Sequence, residues 1–364
     1  MSTTHRRWSV LCAGDGFISA ELLAGSVAKQ IGRDHTYVLH QSIWPFEPSR
    51  NSDDVSEWSG DPIEIAELAT NAEILVTHHA PVGRFLLDKA TRLELVGCCR
   101  GGAANVNVPL AAERGITVVN SPGRNAQATA EFTIGLLISG LRGIVEGSST
   151  MRAGTWDRRY YNFSDAGSEL GGKTVGLVGL GQVGRKVATI LSAIGASVLV
   201  YDPYVSNGDI QSAGAKPSSL GELLSGSDVV SLHARLTRET RNLVDSEALG
   251  AMKSGAYVVN TARGGLLDYD ALVRQIKSGH ISGAALDVFP EEPLPLDHEL
   301  WRLPQVTMTP HIAGASKEAA LRGANEVAED VGRYCRGEPL SHAISGSTRQ
   351  ATTLGPGRQV EAPG

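Results

Sequence analysis

The sequence predicts an α/β protein made of two Rossmann-like, doubly wound parallel sheets, with one domain inserted in the other. Short β-rich runs alternate with helical stretches over residues 9–120, and the same alternation returns over residues 174–309. A GxGxxG segment at residues 179–184 opens the second region, whereas the first region has no such fingerprint. Because strands that alternate with helices favour parallel sheets, we expect a flavodoxin-like domain that carries an inserted dinucleotide-binding domain.

Length and composition narrow the class of protein. The chain has 364 residues, of which 41% are hydrophobic and 20% are charged, so it can form two or three domains with real cores. A net charge of −6 argues against a general nucleic-acid binder. The sequence has no run of 18 apolar residues, and its four cysteines have no metal-ligand spacing. We therefore expect no metal, no nucleic-acid partner, no membrane partner and a cytoplasmic location.

The first region has the pattern of a five-stranded sheet with helical connections. Its expected strands are Ser9–Cys12, Thr36–His40, Glu73–Thr77, Glu94–Cys99 and Ile116–Asn120. Helices are expected at Ile18–Ile31 and Val82–Lys89. The apolar stretch Ala126–Ile144 predicts a long helix that links the two domains, and Met151–Leu170 predicts a surface excursion.

The second region has the strand count of a full dinucleotide-binding sheet. Its six expected strands are Thr174–Val178, Ser197–Tyr201, Asp228–His233, Ala256–Thr261, Ser282–Asp287 and Val306–Thr309. Helices are expected at Gln182–Ile194 and Asp268–Ser278, and a last helix from about Lys317 to Arg336 is expected to return to the first domain.

These elements predict four segments along the chain. Residues 1–120 form the first part of the substrate-binding domain, and residues 121–312 form the dinucleotide-binding domain. Residues 313–343 return to the substrate domain. The polar tail, residues 344–364, has almost no apolar content and is predicted to be disordered.

The glycine segment stands where a dinucleotide-binding turn belongs, after an expected strand and at the start of an expected helix. Gly179 would allow the tight turn, Gly181 would leave room for a pyrophosphate, and Gly184 would let helix and strand approach closely. The free N–H groups at the helix N-terminus would face the phosphates. A purely structural glycine turn is the alternative.

Asp202 ends the next expected strand, at about the 20-residue spacing of a ribose-binding acid. Its carboxylate would accept hydrogen bonds from the 2′-hydroxyl of NAD and would repel the 2′-phosphate of NADP. Residues 203–206 contain no Arg or Lys to bind that phosphate. The sequence thus favours NAD, and a turn-forming Asp-Pro is the alternative for Asp202.

Arg263, Glu292 and His311 lie in three later loops and have complementary chemistry. A guanidinium suits a carboxylate, an imidazole titrates near working pH, and a nearby carboxylate would tune the imidazole. With a bound dinucleotide they indicate a hydride-transfer site for a 2-oxo or 2-hydroxy acid. The alternatives are a surface ion pair for Arg263, a role for Glu291 instead of Glu292, and a core histidine at position 311.

Five motifs in this order resemble the D-isomer-specific 2-hydroxyacid dehydrogenases, a family that includes phosphoglycerate dehydrogenase and glyoxylate/hydroxypyruvate reductase. The motifs are GLGQVG at 179–184, LHARLT at 232–237 with Thr240, NTARGG at 260–265, DVFPEEP at 287–293 and TPHIAG at 309–314. The resemblance covers about residues 70–343.

The resemblance implies a role for each catalytic candidate. Arg263 would clamp the substrate carboxylate and the 2-oxo oxygen, His311 would be the general acid in reduction and the base in oxidation, and Glu292 would pair with the imidazole. Hydride would pass between the nicotinamide and C2. The backbone N–H groups of Arg100-Gly101-Gly102 would bind the substrate carboxylate, and Asp287 would face the nicotinamide side.

The same resemblance implies the cofactor contacts and the assembly. The expected cofactor-binding residues are Gly179, Gly181, Gln182, Val183, Asp202, His233, Thr240, Thr261, Asp287, His311 and Gly314. A homodimer is implied, with NAD and a small-molecule acid held in a cleft that closes during the reaction.

Departures from the family pattern suggest a hypothesis about the substrate. The commonest family form has Pro where Arg235 and Arg238 stand, and it has a different loop where Arg100 lies. Together with His79, Arg100 and Arg235 could bind a second anionic group on the substrate. Exposed ion pairs of Arg235 and Arg238 are the alternative. For the whole protein, an NAD-sensing co-repressor-like binding module and a phosphite-type small-anion dehydrogenase are the other functions left open.

Overall fold

The computed structural model of the protein describes residues 6–345, which fold as two compact α/β units. The first unit takes the chain up to Pro122 and again from Ala320 onward, and the second unit is Gly123–Ala319. Each unit contains one sheet, and neighbouring strands are parallel except at one edge of the first sheet. Two parallel-dominated sheets in an α/β chain confirm the predicted fold class.

The elements alternate along the chain as the sequence pattern indicates. The strands are β1 (Ser9–Gly14), β2 (Thr36–Gln41), β3 (Ile74–Thr77), β4 (Leu95–Cys98), β5 (Thr117–Asn120), β6 (Thr174–Val178), β7 (Ser197–Tyr201), β8 (Lys216–Pro217), β9 (Val229–Leu232), β10 (Ala256–Asn260), β11 (Ile281–Leu286), β12 (Val306–Met308) and β13 (Ala343–Ser345). The helices are α1 (Ala20–Ile31), α2 (Pro62–Ala69), α3 (Arg84–Lys89), α4 (Val108–Glu113), α5 (Ala126–Leu141), α6 (Ile144–Arg152), α7 (Gln182–Ile194), α8 (Asn207–Ser212), α9 (Leu220–Gly226), α10 (Ser246–Ala251), α11 (Tyr269–Lys277) and α12 (Lys317–Arg336).

The first sheet has the strand order β13-β5-β4-β3-β1-β2. The chain leaves β1 for β2 on one side and then returns to β3 on the other side, so a topological switch point lies at β1 and β3. The edge strand β13 pairs antiparallel with β5. The prediction of a disordered tail from residue 344 was therefore wrong at Ile344 and Ser345, which belong to this strand, and residues 346–364 lie outside the described part of the chain.

The second sheet has seven strands, in the order β12-β11-β10-β9-β6-β7-β8, where six were predicted. The extra strand, β8, is a two-residue edge strand that pairs with Leu199 and Val200 of β7. A strand that short has too few residues to show a period of two, and its Pro217 fits only at a sheet edge. The switch point of this sheet lies at β6 and β9.

The helix predicted at Ala126–Ile144 ends earlier, at Leu141. Gly143 adopts a left-handed conformation with φ of 61°, and α6 begins at Ile144. No residue of α6 is buried, and Trp156, Tyr161 and Phe163 beyond it are largely exposed, as expected for a surface excursion. No single helix within residues 6–345 is long and apolar enough to cross a membrane, although α5 and α6 together, bent by 67°, pass the same test of length and composition.

The helix α12 packs in the first unit. Ala324, Val327 and Val331 of this helix are buried in the core of the first sheet. A Cβ atom at Gly97 of β4 would lie 2.4 Å from Val327 Cγ1, so the close approach of α12 to the sheet depends on this glycine. The second unit ends at Ala319, beyond the predicted boundary at residue 312, because the segment that follows β12 is bonded to the second unit.

Candidate active site

The glycine turn after β6 has a conformation that needs glycine at two positions and leaves space at the third. Gly179 has φ of 101°, and a Cβ atom there would lie 2.7 Å from the Ala234 nitrogen. A Cβ atom at Gly184 would lie 2.4 Å from the Gly179 carbonyl oxygen, so this glycine permits the contact between α7 and β6. A Cβ atom at Gly181 would meet nothing within 4 Å. The open space thus lies at the N-terminus of α7, where backbone N–H groups favour a phosphate.

Asp202 lies beside this turn. Its Oδ2 accepts a hydrogen bond of 2.8 Å from the Leu180 N–H, and its Oδ1 accepts one of 2.9 Å from the Tyr204 N–H. The second bond is the turn-forming role that the sequence left as an alternative. The first bond fixes the carboxylate next to the glycine turn, in the position that a ribose-binding acid requires.

The side chains at the start of α7 belong to the second unit by their packing. A Cβ atom at Gly123 would lie 2.0 Å from Gln182 Oε1, so the Gln182 side chain occupies the space above this glycine. Val183 packs against the core that α5, α7 and the sheet share. Thr261, after β10, bonds to Thr133 of α5 through their hydroxyl groups at 2.7 Å in a buried position.

His233 follows β9 at the switch point of the second sheet. Its Nε2 lies 2.9 Å from Ser231 Oγ, and its backbone N–H donates to the Val178 carbonyl. Burial lowers the pKa of His233 to about 4, so the ring is neutral at physiological pH. A neutral ring here adds no positive charge to the expected phosphate site.

The loop after His233 is closed by hydrogen bonds of Thr240. Its hydroxyl donates to the Arg235 carbonyl at 2.7 Å and accepts from the Thr237 N–H at 2.7 Å. Thr240 therefore shapes the loop, and its role toward a cofactor stays a prediction. Arg235 and Arg238 are exposed, and neither forms an ion pair with a residue of the described chain.

Arg263 is held by a turn that Asn260 organises. The buried Asn260 side chain donates from Nδ2 to the Arg263 carbonyl at 2.9 Å and accepts from the Ala262 N–H at 3.1 Å. A Cβ atom at Gly264 would lie 1.9 Å from the Phe289 carbonyl oxygen, so only glycine allows this turn to approach the segment after β11. The Arg263 side chain is exposed above the turn.

Glu292 and His311 form a close imidazole–carboxylate pair. His311 Nδ1 lies 2.6 Å from Glu292 Oε2, and Glu292 Oε1 accepts a hydrogen bond of 3.0 Å from the Phe289 N–H. Since an ionised carboxylate only accepts, Nδ1 carries the proton of this bond. The two side chains are 45% and 36% exposed, so a ligand can reach the imidazole. His311 has φ of 54°, a strained conformation of the kind that clusters at functional sites.

Three charged residues affect the pKa of His311: Glu292, Arg263 and Asp287. The hydrogen bond with Glu292 is the main cause that raises the pKa of His311, and partial burial opposes it. The charge of Arg263 lowers this pKa and the charge of Asp287 raises it. All three predicted catalytic residues lie in the second unit, where the charge of Arg263 acts on the imidazole and its guanidinium donates to the Ala262 carbonyl at 2.7 Å.

Asp287 positions the segment that carries His311. Its buried carboxylate accepts three hydrogen bonds from this segment, donated by the Thr309 hydroxyl at 2.6 Å, the Ile312 N–H at 2.9 Å and the Ala313 N–H at 2.8 Å. Gly314 follows, and a Cβ atom there would lie 2.4 Å from Asn125 Nδ2. The sequence suggested a contact of Asp287 with the cofactor and missed this positioning role, because its partners lie more than twenty residues away.

In the first unit, Arg100 follows β4 and its guanidinium is 12% exposed. It donates to the Glu57 carbonyl at 2.9 Å and pairs with the Glu57 carboxylate. Gly101 and Gly102 are exposed, and within the described residues their N–H groups make no hydrogen bond. These two amides therefore remain suitable donors for a carboxylate ligand, whereas Arg100 already has a counter-charge.

A second imidazole–carboxylate pair lies in the first unit. His78 Nδ1 is 2.7 Å from Asp15 Oδ2, and both side chains are almost fully buried. The ring of His79, which is 7% exposed, stacks on Trp44 with centroids 4.1 Å apart. Of these residues, only His79 was a candidate from the sequence. Asp15 and Trp44 were missed, and the one local signal was the position of Asp15 just after the first strand.

Comparisons with known proteins identify related sequences and structures. Residues 134–313 match the model of the D-isomer specific 2-hydroxyacid dehydrogenase NAD binding domain. A glyoxylate reductase of Thermofilum pendens is 41% identical over 255 residues, which are 70% of this chain and 75% of that protein. The D-3-phosphoglycerate dehydrogenase of Bacillus subtilis is 37% identical over 279 residues, which are 77% of this chain and 52% of that protein.

Among solved structures, the TT0316 protein from Thermus thermophilus superposes with a TM-score of 0.77 and 31% identity, covering 92% of this chain and 99% of that one. This chain spans about half the length of the phosphoglycerate dehydrogenases that it matches.

Proposed function

This chain belongs to the D-isomer specific 2-hydroxyacid dehydrogenase family, and from that membership we propose that it is an NAD-dependent oxidoreductase of small acids. It transfers a hydride between the nicotinamide and C2 of a 2-oxo or 2-hydroxy acid of D configuration. The observation that carries the proposal is the half-exposed Glu292–His311 pair, 2.6 Å apart, in the same unit as the exposed Arg263 side chain.

Arg263 binds the substrate carboxylate and polarises the 2-oxo group. A planar guanidinium can donate two parallel hydrogen bonds to a carboxylate, which sets the orientation of the reacting carbon as well as its affinity. The Asn260 side chain and Gly264 hold the turn that presents this guanidinium. Fixed geometry of this kind supports catalysis because the reacting groups need no further ordering.

His311 moves the proton at the C2 oxygen. Glu292 accepts from Nδ1 and raises the pKa of His311, so the ring stays protonated to higher pH than an ordinary histidine, and Nε2 donates a proton during reduction. In oxidation the neutral ring accepts that proton. Asp287 keeps the His311 segment in place through three hydrogen bonds, which makes it a positioning residue.

The residues at the glycine turn fit a dinucleotide. The open space at Gly181 and the N–H groups at the start of α7 suit a pyrophosphate, and Asp202 suits a ribose diol. When bound, the nicotinamide supplies or accepts the hydride. The fit of Asp202 to an unphosphorylated ribose supports NAD over NADP.

The cofactor preference has a direct test in Asp202→Ala. We expect wild type to use NADH with higher kcat/KM than NADPH. In the variant, the ratio of kcat/KM with NADH to kcat/KM with NADPH falls by about tenfold, because the carboxylate that repels the 2′-phosphate of NADPH is removed. Glu222→Ala in the same unit, an exposed carboxylate that caps α9, serves as the matched control. A wild-type preference for NADPH would contradict the role given to Asp202.

Two further features of the protein are part of the proposal. A homodimer is implied by the family, and large apolar side chains exposed on α6 and the segment after it are compatible with it. These side chains are Ile144, Val145, Met151, Trp156, Tyr161 and Phe163. A cytoplasmic location is supported by four cysteines that are all free thiols.

The activity is tested by NADH oxidation with a panel of 2-oxo acids that includes glyoxylate, pyruvate, hydroxypyruvate and 3-phosphohydroxypyruvate. Turnover of at least one acid, lost in His311→Asn while NADH binding is retained, supports the proposal. Binding of NADH without turnover of any acid would favour the NAD-sensing binding module. Oxidation of phosphite without reduction of any 2-oxo acid would favour the small-anion dehydrogenase.

A further inference from the structure

A long segment of the first unit, residues 42–61 between β2 and α2, lies along the carboxyl end of its sheet. We call this segment the covering loop. Its Trp44 carbonyl accepts from the Gly16 N–H at 2.7 Å, and its Ser59 N–H donates to the His79 carbonyl at 2.9 Å. A third bond of 2.9 Å joins the Ser56 N–H to the Ala104 carbonyl. The covering loop is thus tied to the ends of β1, β3 and β4.

That end of the sheet is where this fold places ligands. In open α/β sheets the ligand lies outside the carboxyl ends of the strands, at the point where the strand order reverses, which here is at β1 and β3. The covering loop adds two groups to this edge. Trp44 stacks on His79, and Glu57 pairs with Arg100.

Glu57 is held in the position that pairs it with Arg100. Its φ of 53° lies in the left-handed region, which costs a residue other than glycine about 1 kcal/mol or more. Its N–H donates to Asn51 Oδ1 at 3.0 Å, and both its carbonyl and its carboxylate accept from the Arg100 guanidinium. A strained backbone that is fixed by three hydrogen bonds indicates that the position of this carboxylate matters.

We propose that Glu57 determines substrate charge by neutralising Arg100, so that this edge accepts 2-oxo acids whose group beyond C2 is uncharged. The proposal rests on the proposed function and names its substrate class. Without Glu57, Arg100 would offer a cation to a phosphate or a second carboxylate. With Glu57, the carboxylate repels such a group, and the Trp44–His79 stack gives a neutral or apolar group a flat surface.

Two of the three residues proposed from sequence for a second-anion site, Arg100 and His79, do not have the contacts of such a site. Arg100 carries its own counter-charge, and His79 is buried against Trp44. Sequence alone could not show the first point, because Glu57 and Arg100 lie 43 residues apart and no motif joins them.

The test compares hydroxypyruvate with 3-phosphohydroxypyruvate, which differ only in the phosphate. We expect wild type to reduce hydroxypyruvate with the higher kcat/KM. In Glu57→Gln, kcat/KM for 3-phosphohydroxypyruvate relative to that for hydroxypyruvate should rise by about tenfold, because Arg100 then lacks its counter-charge and attracts the phosphate. The matched control is Glu47→Gln, which removes a carboxylate from another ion pair of the covering loop and should leave the ratio within about twofold.

A double variant, Glu57→Gln with Arg100→Gln, restores a neutral edge and should return the ratio to its wild-type value. The double variant also distinguishes a change of charge from a misfolded covering loop, because a misfolded loop would not recover the wild-type selectivity. A wild-type preference for the phosphorylated acid, an unchanged ratio in Glu57→Gln, or an equal change in Glu47→Gln would each overturn the proposal.

Binding of unreactive probes separates this inference from the proposed function. Oxamate has an uncharged amide where oxalate has a second carboxylate, and calorimetry on the NADH-loaded protein measures both. In Glu57→Gln, the affinity for oxalate relative to the affinity for oxamate should rise by about tenfold. If no 2-oxo acid is turned over, the proposed function fails, and the oxalate-to-oxamate ratio alone decides whether Glu57 sets the charge preference. An unchanged ratio overturns it.

Discussion

The two shortest imidazole–carboxylate contacts within residues 6–345 lie one in each unit, and they differ in burial more than in geometry. His311 lies 2.6 Å from Glu292, and His78 lies 2.7 Å from Asp15. The side chains of the first pair are 45% and 36% exposed, whereas those of the second are 2% and 1% exposed. The same chemical pair is thus open to a ligand in the second unit and enclosed in the first.

This difference makes the exposed pair the candidate for catalysis and gives the enclosed pair a structural role. Proton transfer requires the imidazole to reach the substrate, which the exposed His311 can do and the enclosed His78 cannot. Asp15 also accepts from the Phe17 and Ile18 N–H groups, so it joins the end of β1 to the start of α1 as well as to His78. A close His–carboxylate distance alone therefore does not identify an active site, and access has to be considered with it.

The largest expected effect is on activity at the exposed pair. His311→Asn removes the proton donor, and kcat/KM for 2-oxo acid reduction should fall by about 10²- to 10⁴-fold. Steady-state kinetics measures the loss, and NADH binding by fluorescence shows that the site remains intact. Activity within about twofold of wild type would contradict the assignment of His311 as the acid.

The next largest effect is on stability, and here the enclosed pair should matter more than the exposed one. Asp15→Ala removes the carboxylate that accepts from the Phe17 and Ile18 N–H groups and contacts the buried His78 imidazole, and it should lower the free energy of unfolding by about 3–5 kcal/mol. Glu292→Ala breaks a half-exposed pair and should cost about 1 kcal/mol or less. Urea titration measures both, with the exposed Asp34→Ala as the control, expected within about 0.5 kcal/mol of wild type. Equal losses of unfolding free energy in Asp15→Ala and Glu292→Ala would contradict a structural role specific to the enclosed pair.

A smaller effect is expected at the guanidinium beside the exposed pair. Arg263→Lys keeps the charge but loses the two-pronged donor, so kcat/KM should fall roughly 10- to 100-fold, the range of charged hydrogen bonds. The same exchange at Arg274, exposed on α11, is the control and should leave kinetics unchanged. If the Arg263→Lys variant were as active as wild type, charge alone would suffice at this position.

The smallest effect is a displacement of the pH profile. Glu292 raises the pKa of His311, so reduction, which needs the protonated ring, persists to higher pH than an ordinary histidine would allow. In Glu292→Gln that pKa falls, and the pH above which kcat/KM for reduction declines moves down. Oxidation needs the neutral ring, so its rise with pH moves down as well. A profile that stays in place would mean that Glu292 does not tune His311.

Several elements were predictable because their signals are local. The bounds of β6, β7, α7 and α12 agree with the sequence patterns, since alternation, amphipathic period and glycine punctuation all fall within each segment. The edge strands β8 and β13 were not predicted, because two or three residues are too few to establish a pattern. The boundary near residue 312 was placed too early, because only the hydrogen bonds to Asp287 tie the following segment to the second unit.

The sequence by itself determined the fold class and the glycine turn, and it predicted Arg263, Glu292 and His311 as catalytic candidates, because each lies in a contiguous motif whose chemistry is readable from neighbouring residues. Tertiary structure alone decided which of the two shortest imidazole–carboxylate contacts is accessible and that Arg100 has Glu57 as its counter-charge. The physical reason is that burial and charge pairing depend on residues far apart in the chain, and folding, not local pattern, brings those residues together.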